Sequence, residues 1–223
     1  MNIRFKRKKA MLFLVLLFPS IIYVILSSGK HSFLHRPVFG PKTVNEAGDT
    51  NYYTVPAFSF TRCNGEEVSL NDFENVITVV GFYDPFDSLV TSRMSNQMMT
   101  LHERFRDNPE FVLISLSSSN DSNSIQEACR IESEFPIVEG KWLLGTLNQD
   151  VKEFAISQLF LDKSDSLQCG FNNQQMVLID KQKRIRSYRD AIQYVETTAM
   201  ADDMKVVKAE EFISKKTKKR EGE

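Results

Sequence analysis

The middle of the chain contains two continuously apolar runs and, between them, a segment in which apolar residues recur at regular intervals. Residues 76–83 and 111–116 are almost continuously apolar and rich in β-branched side chains, which predicts two strands buried on both faces. Between them, apolar residues recur at helical spacing and predict a helix over about 90–107. The residues that define this spacing are Met94, Met98, Leu101 and Phe105. Thioethers can bind copper, but packing of one helix face explains the two methionines better.

Turn and capping residues predict the remaining elements. Asn64-Gly65, between the segments 58–60 and 67–70, is the strongest hairpin signal in the chain. The segments 176–180 and 184–188 predict a second hairpin. Helices are predicted over 123–135, over 149–158 with Asn148 as its cap, and from Thr197 or Thr198 towards Lys215.

The order of these elements indicates the fold class. It is hairpin, β, α, β, α, short α, β, β, α, and the apolar run 142–145 in a loop-to-strand region is interpreted as core. Strands that alternate with helices and end in an antiparallel hairpin and a helix predict an α/β fold. We expect a thioredoxin-like fold, with a central mixed sheet flanked by helices.

An uncharged segment at 10–28 follows a basic stretch at the N-terminus. Its length is close to the roughly 20 residues that cross a bilayer, and the basic flank predicts that residues 1–9 form a cytoplasmic tail. We interpret the segment as an N-terminal transmembrane helix; a signal peptide cleaved near Ser27-Ser-Gly29 is the alternative. The expected location is the inner cell membrane, single-pass, with the C-terminal domain facing the periplasm.

After the predicted anchor, the chain is expected to contain a linker, a folded domain and a C-terminal tail. Residues 29–52 carry Pro, Gly and polar residues without a periodic apolar face, which indicates a linker. The thioredoxin-like domain is expected over 53–214, and residues 215–223 form a basic C-terminal tail. Such a tail can dock on anionic lipid or on an acidic partner, although a solvated terminus is the interpretation we favour.

Composition narrows the classes of function. The net charge is −1, so no global field favours nucleic acid. Cys63, Cys129 and Cys169 lie far apart and have no CxxC or CxxxC spacing. They allow at most one disulfide, and buried structural thiols are the favoured interpretation. No catalytic-triad, phosphate-binding, dinucleotide-binding or zinc motif occurs in the sequence.

Several short segments occur in a characteristic order: 36–41, 55–60 with Asn64-Gly65, Ser115 with Asp121, 176–181, and Arg184-Ile-Arg186. Because of these segments and their order, the chain from Leu34 onward resembles the Sco/SenC family. These are membrane-anchored thioredoxin-fold proteins that handle copper for cytochrome oxidase assembly. The resemblance covers most of the exported domain.

The resemblance also shows what this chain has lost. The family carries two cysteines and a later histidine as metal ligands, and the segment 82–98 where the cysteines belong contains none. Asp87 and Thr91 stand at the two cysteine positions, and Asn172 stands at the histidine position. These side chains offer hard oxygen donors, which bind copper far more weakly and cannot form a disulfide. We therefore expect no catalysis and no cofactor, copper included.

Two alternatives remain open. A metal site could be rebuilt from Cys169, Asp84 and Asp87, making the chain a copper chaperone, although Asp87 is well placed to cap the helix that begins near Leu89. A single cysteine could also support thiol redox chemistry, but no resolving cysteine lies nearby. His102 is expected on an exposed helix face as a solvated residue.

The favoured hypothesis is a non-catalytic interaction or assembly factor at the membrane. The resemblance implies cytochrome oxidase biogenesis as its context. The expected partners are the membrane, through the N-terminal helix, and a protein of oxidase or envelope assembly, but no nucleic acid.

Overall fold

The computed structural model describes residues 15, 17–23, 35–45, 48–162 and 171–221, with the backbone alone for 211–221. The chain divides into two compact units, 1–34 and 35–223. In the first unit the described residues are helical and have exposed side chains. No helix among the described residues is long and apolar enough to cross a membrane. The rest of the predicted span 10–28 lies outside the described residues.

The second unit is built on a mixed sheet. The described strands of this unit are β1 (Lys42–Val44), β2 (Thr50–Tyr52), β3 (Ser59–Arg62), β4 (Glu67–Ser69), β5 (Ile77–Tyr83), β6 (Phe111–Ser117), β7 (Trp142–Leu147), β8 (Gln175–Ile179) and β9 (Ile185–Asp190). β1 and β2 form a separate antiparallel pair, and the others form one sheet in the order β4-β3-β7-β6-β5-β8-β9. β5, β6 and β7 are parallel, whereas β3 and β8 are antiparallel to their neighbours. The predicted central mixed sheet and both predicted hairpins are confirmed.

Helices cover the sheet. In the second unit the described ones are α1 (Ser88–Phe105), α2 (Ser122–Glu134), α3 (Val151–Glu153) with a π-helical turn (Phe154–Gln158), α4 (Tyr194–Glu221), and a 3-10 turn (Leu70–Asp72). The helices predicted over 90–107 and 123–135 are confirmed as α1 and α2. The methionine side chains of α1 are buried in the core, as the helical spacing predicted.

Two helix starts differ from the prediction. Asp150, and not Asn148, caps α3, since the Asp150 carboxylate accepts a hydrogen bond from the last amide of that turn at 2.7 Å. The Asn148 side chain instead contacts the β3–β4 hairpin. α4 begins at Tyr194, before either predicted threonine. The Thr197 hydroxyl donates to the Gln193 carbonyl at 3.1 Å, so it bonds along the helix and does not cap it.

β7 was predicted as core but not as a separate strand. Its apolar run is buried as expected, with Trp142 1% exposed. Gly145 and Thr146 interrupt the run, which hides the strand in the sequence. The glycine is needed because a Cβ at position 145 would lie 2.5 Å from the carbonyl oxygen of Thr61 on β3. Gly145 thus allows β7 to approach β3 at this position without a clash.

Part of the segment that was predicted as a linker packs against the domain, ahead of β3 in the sequence. We call residues 35–41 the N-terminal arm. Its Phe39 amide donates to the Ile185 carbonyl of β9 at 2.9 Å, and the Phe39 ring packs edge-on against Tyr188. The β1–β2 pair follows directly. Contacts with the domain thus begin at His35 among the described residues.

A disulfide joins Cys63, in the β3–β4 turn, to Cys129 on α2. The prediction of buried thiols is therefore wrong for these two residues, while the limit of one disulfide holds for the described part of the chain. The sheet order explains the pairing, because β3 lies next to β7 and α2 packs on β7. This neighbourhood depends on the tertiary fold and leaves no trace in cysteine spacing. Cys169 lies outside the described residues.

His102 is buried, with only 1% of its surface exposed, so the prediction of a solvated side chain is wrong. Its Nε2 accepts a hydrogen bond from the Val138 amide at 3.1 Å, and its ring lies near Trp142. The segment around Val138 covers this face of α1, which the helix sequence alone cannot indicate. Burial, with a smaller contribution from Arg106, lowers the pKa of His102.

Candidate functional site

The turn at 84–87 joins β5 to α1 at the carboxyl edge of the parallel strands. β8 begins at this same edge, because it pairs antiparallel with β5. In open α/β sheets, ligands bind outside the carboxyl ends of the strands. The predicted site residues that the structure describes lie on this turn, on the first turn of α1, or in the loop before β8.

Asp87 caps α1, as predicted. Its Oδ1 accepts hydrogen bonds from the amides of Leu89 at 3.1 Å and Val90 at 3.0 Å. These amides belong to the first turn of the helix, where backbone donors have no partner within the helix. The carboxylate at the position that the resemblance assigns to the first cysteine therefore stabilises the start of α1.

Thr91 is fully buried beneath the turn. Its hydroxyl donates to the Asp84 carbonyl at 2.7 Å and accepts from the Asp84 amide at 2.9 Å. Both hydrogen-bonding roles of the hydroxyl are thus used by the backbone of one residue. The oxygen at the second cysteine position closes the turn from below.

Asp84 connects the turn to the loop before β8. Its Oδ1 accepts from the Phe86 amide at 3.0 Å, within the turn. Its Oδ2 accepts from Asn173 Nδ2 at 3.1 Å, across the edge of the sheet. Sequence reasoning missed Asn173, and the only signal for it was its position beside Asn172.

Asn172, at the histidine position, does not contact the turn through any described hydrogen bond. Its amide donates to the Leu161 carbonyl at 2.8 Å, and its Oδ1 accepts from the Gln174 amide at 3.3 Å. The side chain therefore stabilises its own loop. The three positions that the resemblance assigns to metal ligands each have a separate structural role here.

The described residues do not fit copper. Copper(I) favours thiolate, thioether and imidazole ligands, whereas Asp87, Thr91 and Asn172 present hydrogen-bonded oxygens. Within the described ranges, no group of three or more His, Cys, Asp or Glu could hold a metal ion. Of the predicted rebuilt site, Asp84 and Asp87 share one turn and each accepts a hydrogen bond from a backbone amide. Cys169, the third member, lies outside the described residues.

Tyr83, the last residue of β5, does not face solvent at this edge. It is 2% exposed, and its hydroxyl donates to the Ser124 carbonyl at 2.8 Å. Burial raises the pKa of Tyr83 well above its usual value. The phenol therefore stays protonated and holds α2 to the edge of the sheet.

Large apolar side chains are exposed along the same edge. The loop before α4 reaches it, since the Ala191 amide donates to the Gln174 carbonyl at 2.7 Å. Both α1 and α4 begin here, and they pack against each other. We name the exposed residues at their starts the apolar rim: Phe86, Leu89, Tyr194 and Val195, each between 59% and 73% exposed. Exposed apolar groups on one edge are typical of protein-binding surfaces.

Solved structures share this architecture. A SCO1/SenC family lipoprotein from Bacillus anthracis str. Ames superposes with a TM-score of 0.57 at 19% identity, over 70% of this chain and 95% of that chain. BsSco, a member of the Sco family of cytochrome c oxidase assembly proteins, gives 0.56 at 17% identity, over 70% and 93%. Arabidopsis thaliana ScoI with copper bound gives 0.52 at 14% identity, over 70% and 99%.

These similarities establish the fold. No family model matches the sequence, and no curated protein matches it. The solved structures lie at 14–19% identity, a range in which structural likeness speaks for architecture alone. The chain therefore has the thioredoxin-like fold of Sco-type proteins, as the sequence resemblance predicted.

Proposed function

We propose that this chain is a non-catalytic, membrane-anchored protein with a Sco-like fold, which acts as an interaction or assembly factor. The observation that carries the proposal is that the positions assigned to metal ligands by the resemblance are occupied here by side chains that stabilise the fold. Asp87 caps α1, Thr91 closes the turn, and Asn172 stabilises its own loop. Oxygens engaged in this way neither exchange thiols nor provide the soft ligands of copper.

Membrane anchoring rests on the sequence. The segment 10–28 is apolar and long enough to span a bilayer, and the basic residues before it favour a cytoplasmic N-terminus. The domain would then face the periplasm from the inner membrane. The Cys63–Cys129 disulfide supports this location, because structural disulfides persist in oxidising compartments and are rare in the cytosol.

The apolar rim supports a protein partner. It lies at the same edge as the turn at 84–87, so exposed apolar side chains that could contact a protein stand beside a site without soft ligands. BsSco is described as a cytochrome c oxidase assembly protein, and we carry that process over as the proposed context. In this role the chain would position another assembly component at the membrane.

A measurement of the affinity for Cu(I) tests the proposal that the site does not bind copper. The full chain in detergent is titrated with Cu(I) against a competing chelator, beside the variant Cys169→Ser. We expect neither protein to take copper from a chelator that holds it with sub-micromolar affinity. Sub-micromolar binding that Cys169→Ser abolishes would establish the rebuilt site and overturn the proposal.

Thiol turnover tests the non-catalytic character separately. The full chain is incubated with peroxide or with a small disulfide and a reductant, and turnover is compared between native protein and Cys169→Ser. Cys63 and Cys129 are paired in the structure, so Cys169 is the thiol at issue. We expect no turnover above the uncatalysed rate. Turnover that disappears in Cys169→Ser would show a single-cysteine redox enzyme.

A further inference from the structure

α4 runs opposite to β9, away from the edge that carries the apolar rim. Partway along the helix, Asp203 accepts a hydrogen bond from Ser187 Oγ at 2.6 Å. Farther along, Glu210 forms an ion pair with Arg186, which lies at the start of β9. The helix therefore reaches the opposite edge of the sheet near Glu210, and its backbone continues as a helix to Glu221.

The N-terminal arm joins the domain at this opposite edge. The Arg36 amide donates to Glu210 at 2.6 Å, and the Arg36 guanidinium pairs with Asp203, a fully buried carboxylate. Arg186 donates to the Arg36 carbonyl at 2.7 Å and to the Pro37 carbonyl at 3.2 Å. Contacts to a buried carboxylate and to backbone carbonyls fix the arm beside the middle of α4, between Asp203 and Glu210.

Covalent length limits how far this edge can lie from a membrane. The predicted span ends at Ser28, and contacts of the arm begin at His35, so only residues 29–34 intervene. A fully extended chain covers about 3.5 Å per residue, so this connection reaches at most about 25 Å. The arm therefore enters the domain within this distance of the predicted end of the span.

Positive charge is concentrated beyond Glu210 on the same helix. The basic residues of the segment 215–220 are Lys215, Lys216, Lys218, Lys219 and Arg220. With a helical rise of about 1.5 Å per residue, the segment lies about 8–15 Å past Glu210 along the axis. The helix thus carries its basic end outward from the edge at which the arm enters.

We propose that residues 215–220 form a second membrane contact, in which the basic side chains bind the anionic phospholipid headgroups of the bilayer that holds the N-terminal span. The inference rests on the membrane anchoring proposed above. Clusters of Lys and Arg gain from the negative surface potential of any leaflet that contains anionic lipid, and this potential decays within a Debye length of about 8 Å. The apolar rim lies at the other edge of the domain, away from both the arm and the basic segment.

A fluorescent label on α4 tests this contact. The full chain with Cys169→Ser and Thr217→Cys has one reactive thiol, because Cys63 and Cys129 are in a disulfide. It is labelled with an environment-sensitive dye and reconstituted into vesicles of phosphatidylcholine, with or without phosphatidylglycerol. We expect a blue-shifted emission and about tenfold lower quenching by an aqueous quencher only with phosphatidylglycerol. High salt should reverse both changes, since it screens the charges.

Two variants serve as controls. In the first, Gln replaces all five basic residues of 215–220, which keeps the helix propensity and removes the charge. This variant should show the same emission and quenching in both kinds of vesicle. In the second, Arg93→Gln removes one charge from an exposed position on α1, away from this end of α4. It should respond to phosphatidylglycerol as the native tail does.

Flotation of the vesicles separates the tail from the anchor. A chain that floats with phosphatidylcholine vesicles, but whose label does not respond to phosphatidylglycerol, overturns the second contact and leaves the anchor standing. A response that persists in the five-glutamine variant also overturns it. A chain that fails to float with phosphatidylcholine contradicts the anchor, and the label in mixed vesicles still decides whether the tail binds anionic lipid.

Discussion

The Thr91 hydroxyl bonds to both backbone polar groups of Asp84, donating to its carbonyl at 2.7 Å and accepting from its amide at 2.9 Å. The two residues are seven positions apart: Asp84 begins the turn between β5 and α1, and Thr91 lies in the first part of α1. One buried oxygen thus bonds to both backbone groups of Asp84, whose carbonyl also accepts from the Asp87 amide at 3.2 Å. At this position the Sco/SenC resemblance leads us to expect a cysteine, and the hydroxyl holds the turn together instead.

Replacing Thr91 with valine tests this role. Thr91→Val keeps the shape of the side chain but removes the acceptor of the Asp84 amide and one of the two donors to the Asp84 carbonyl, which keeps the Asp87 amide at 3.2 Å. We expect a loss of about 1–3 kcal/mol in the free energy of unfolding, measured with urea. Thr91→Ser retains the hydroxyl and should lose only about 0.8 kcal/mol for the missing methyl. Equal stability of native protein and Thr91→Val, with unchanged exchange of the Asp84 amide, would show that the bonds do not matter.

The cap at Asp87 gives a second, separate prediction. Asp87→Ala removes the acceptor for the amides of Leu89 and Val90, and it should lower the free energy of unfolding by about 1 kcal/mol. Asp87→Asn keeps an acceptor oxygen and should remain within a few tenths of the native value. If alanine and asparagine behave alike, the cap contributes nothing measurable and the carboxylate is free for another role.

The sequence predicted those parts of the site that are local. The capping role of Asp87 follows from its place before α1, and the buried β5 and β6 follow from their apolar runs. The bond from Asn173 to Asp84 joins residues 89 positions apart, so it depends on how two loops meet at the edge of the sheet. Thr91 lies on the same helix face as Met94, so its burial is local, whereas its bonds to Asp84 depend on the path of the turn.

The Cys63–Cys129 disulfide gives a prediction about stability. It closes a loop with a sequence separation of 66 residues and should stabilise the fold by about 2–4 kcal/mol. A reductant should therefore lower the urea midpoint of the native protein. The double variant Cys63→Ala, Cys129→Ala should have the lowered midpoint with or without reductant, and Cys169→Ser should behave as native. A native midpoint that ignores the reductant would contradict this contribution.

His102 predicts how stability changes with pH. Burial lowers its pKa in the folded protein, so the unfolded chain, with a pKa near 6.5, binds the proton first as the pH falls. The stability from His102 is thus complete above about pH 6.5 and decreases on acidification, by at most about 1.4 kcal/mol per pH unit. Glu110 acts at lower pH, because bonds to Lys181 and Lys208 lower its pKa below the usual range.

The measurement is the urea midpoint at pH 7 and at pH 5.5. The native protein should lose stability over this interval, whereas His102→Gln should lose less, since glutamine can still accept from the Val138 amide without taking up a proton. An identical loss in both proteins would show that His102 does not contribute to this pH dependence.

Sequence patterns did not predict the burial of His102 or the separate strand β7. The helical spacing of α1 identified Leu101 as core, but the neighbour of His102 is Val138, which reaches α1 only through the tertiary fold. β7 was hidden because Gly145 breaks its apolar run, and that glycine is required by the close approach of β3. Both errors arise from contacts between segments that are far apart in sequence. The pattern of residues within one segment gives no information about such contacts.

We propose that this chain keeps a Sco-like fold without the metal ligands. The ligands that the resemblance implies can be introduced together, as Asp87→Cys, Thr91→Cys and Asn172→His in one full-length chain. Cu(I) affinity is measured by chelator competition beside the native chain, and circular dichroism checks that the variant remains folded despite the lost cap and turn bonds. We predict tight binding by the triple variant and none by the native chain. Equal affinity of the two, or no gain in a folded triple variant, would contradict the account.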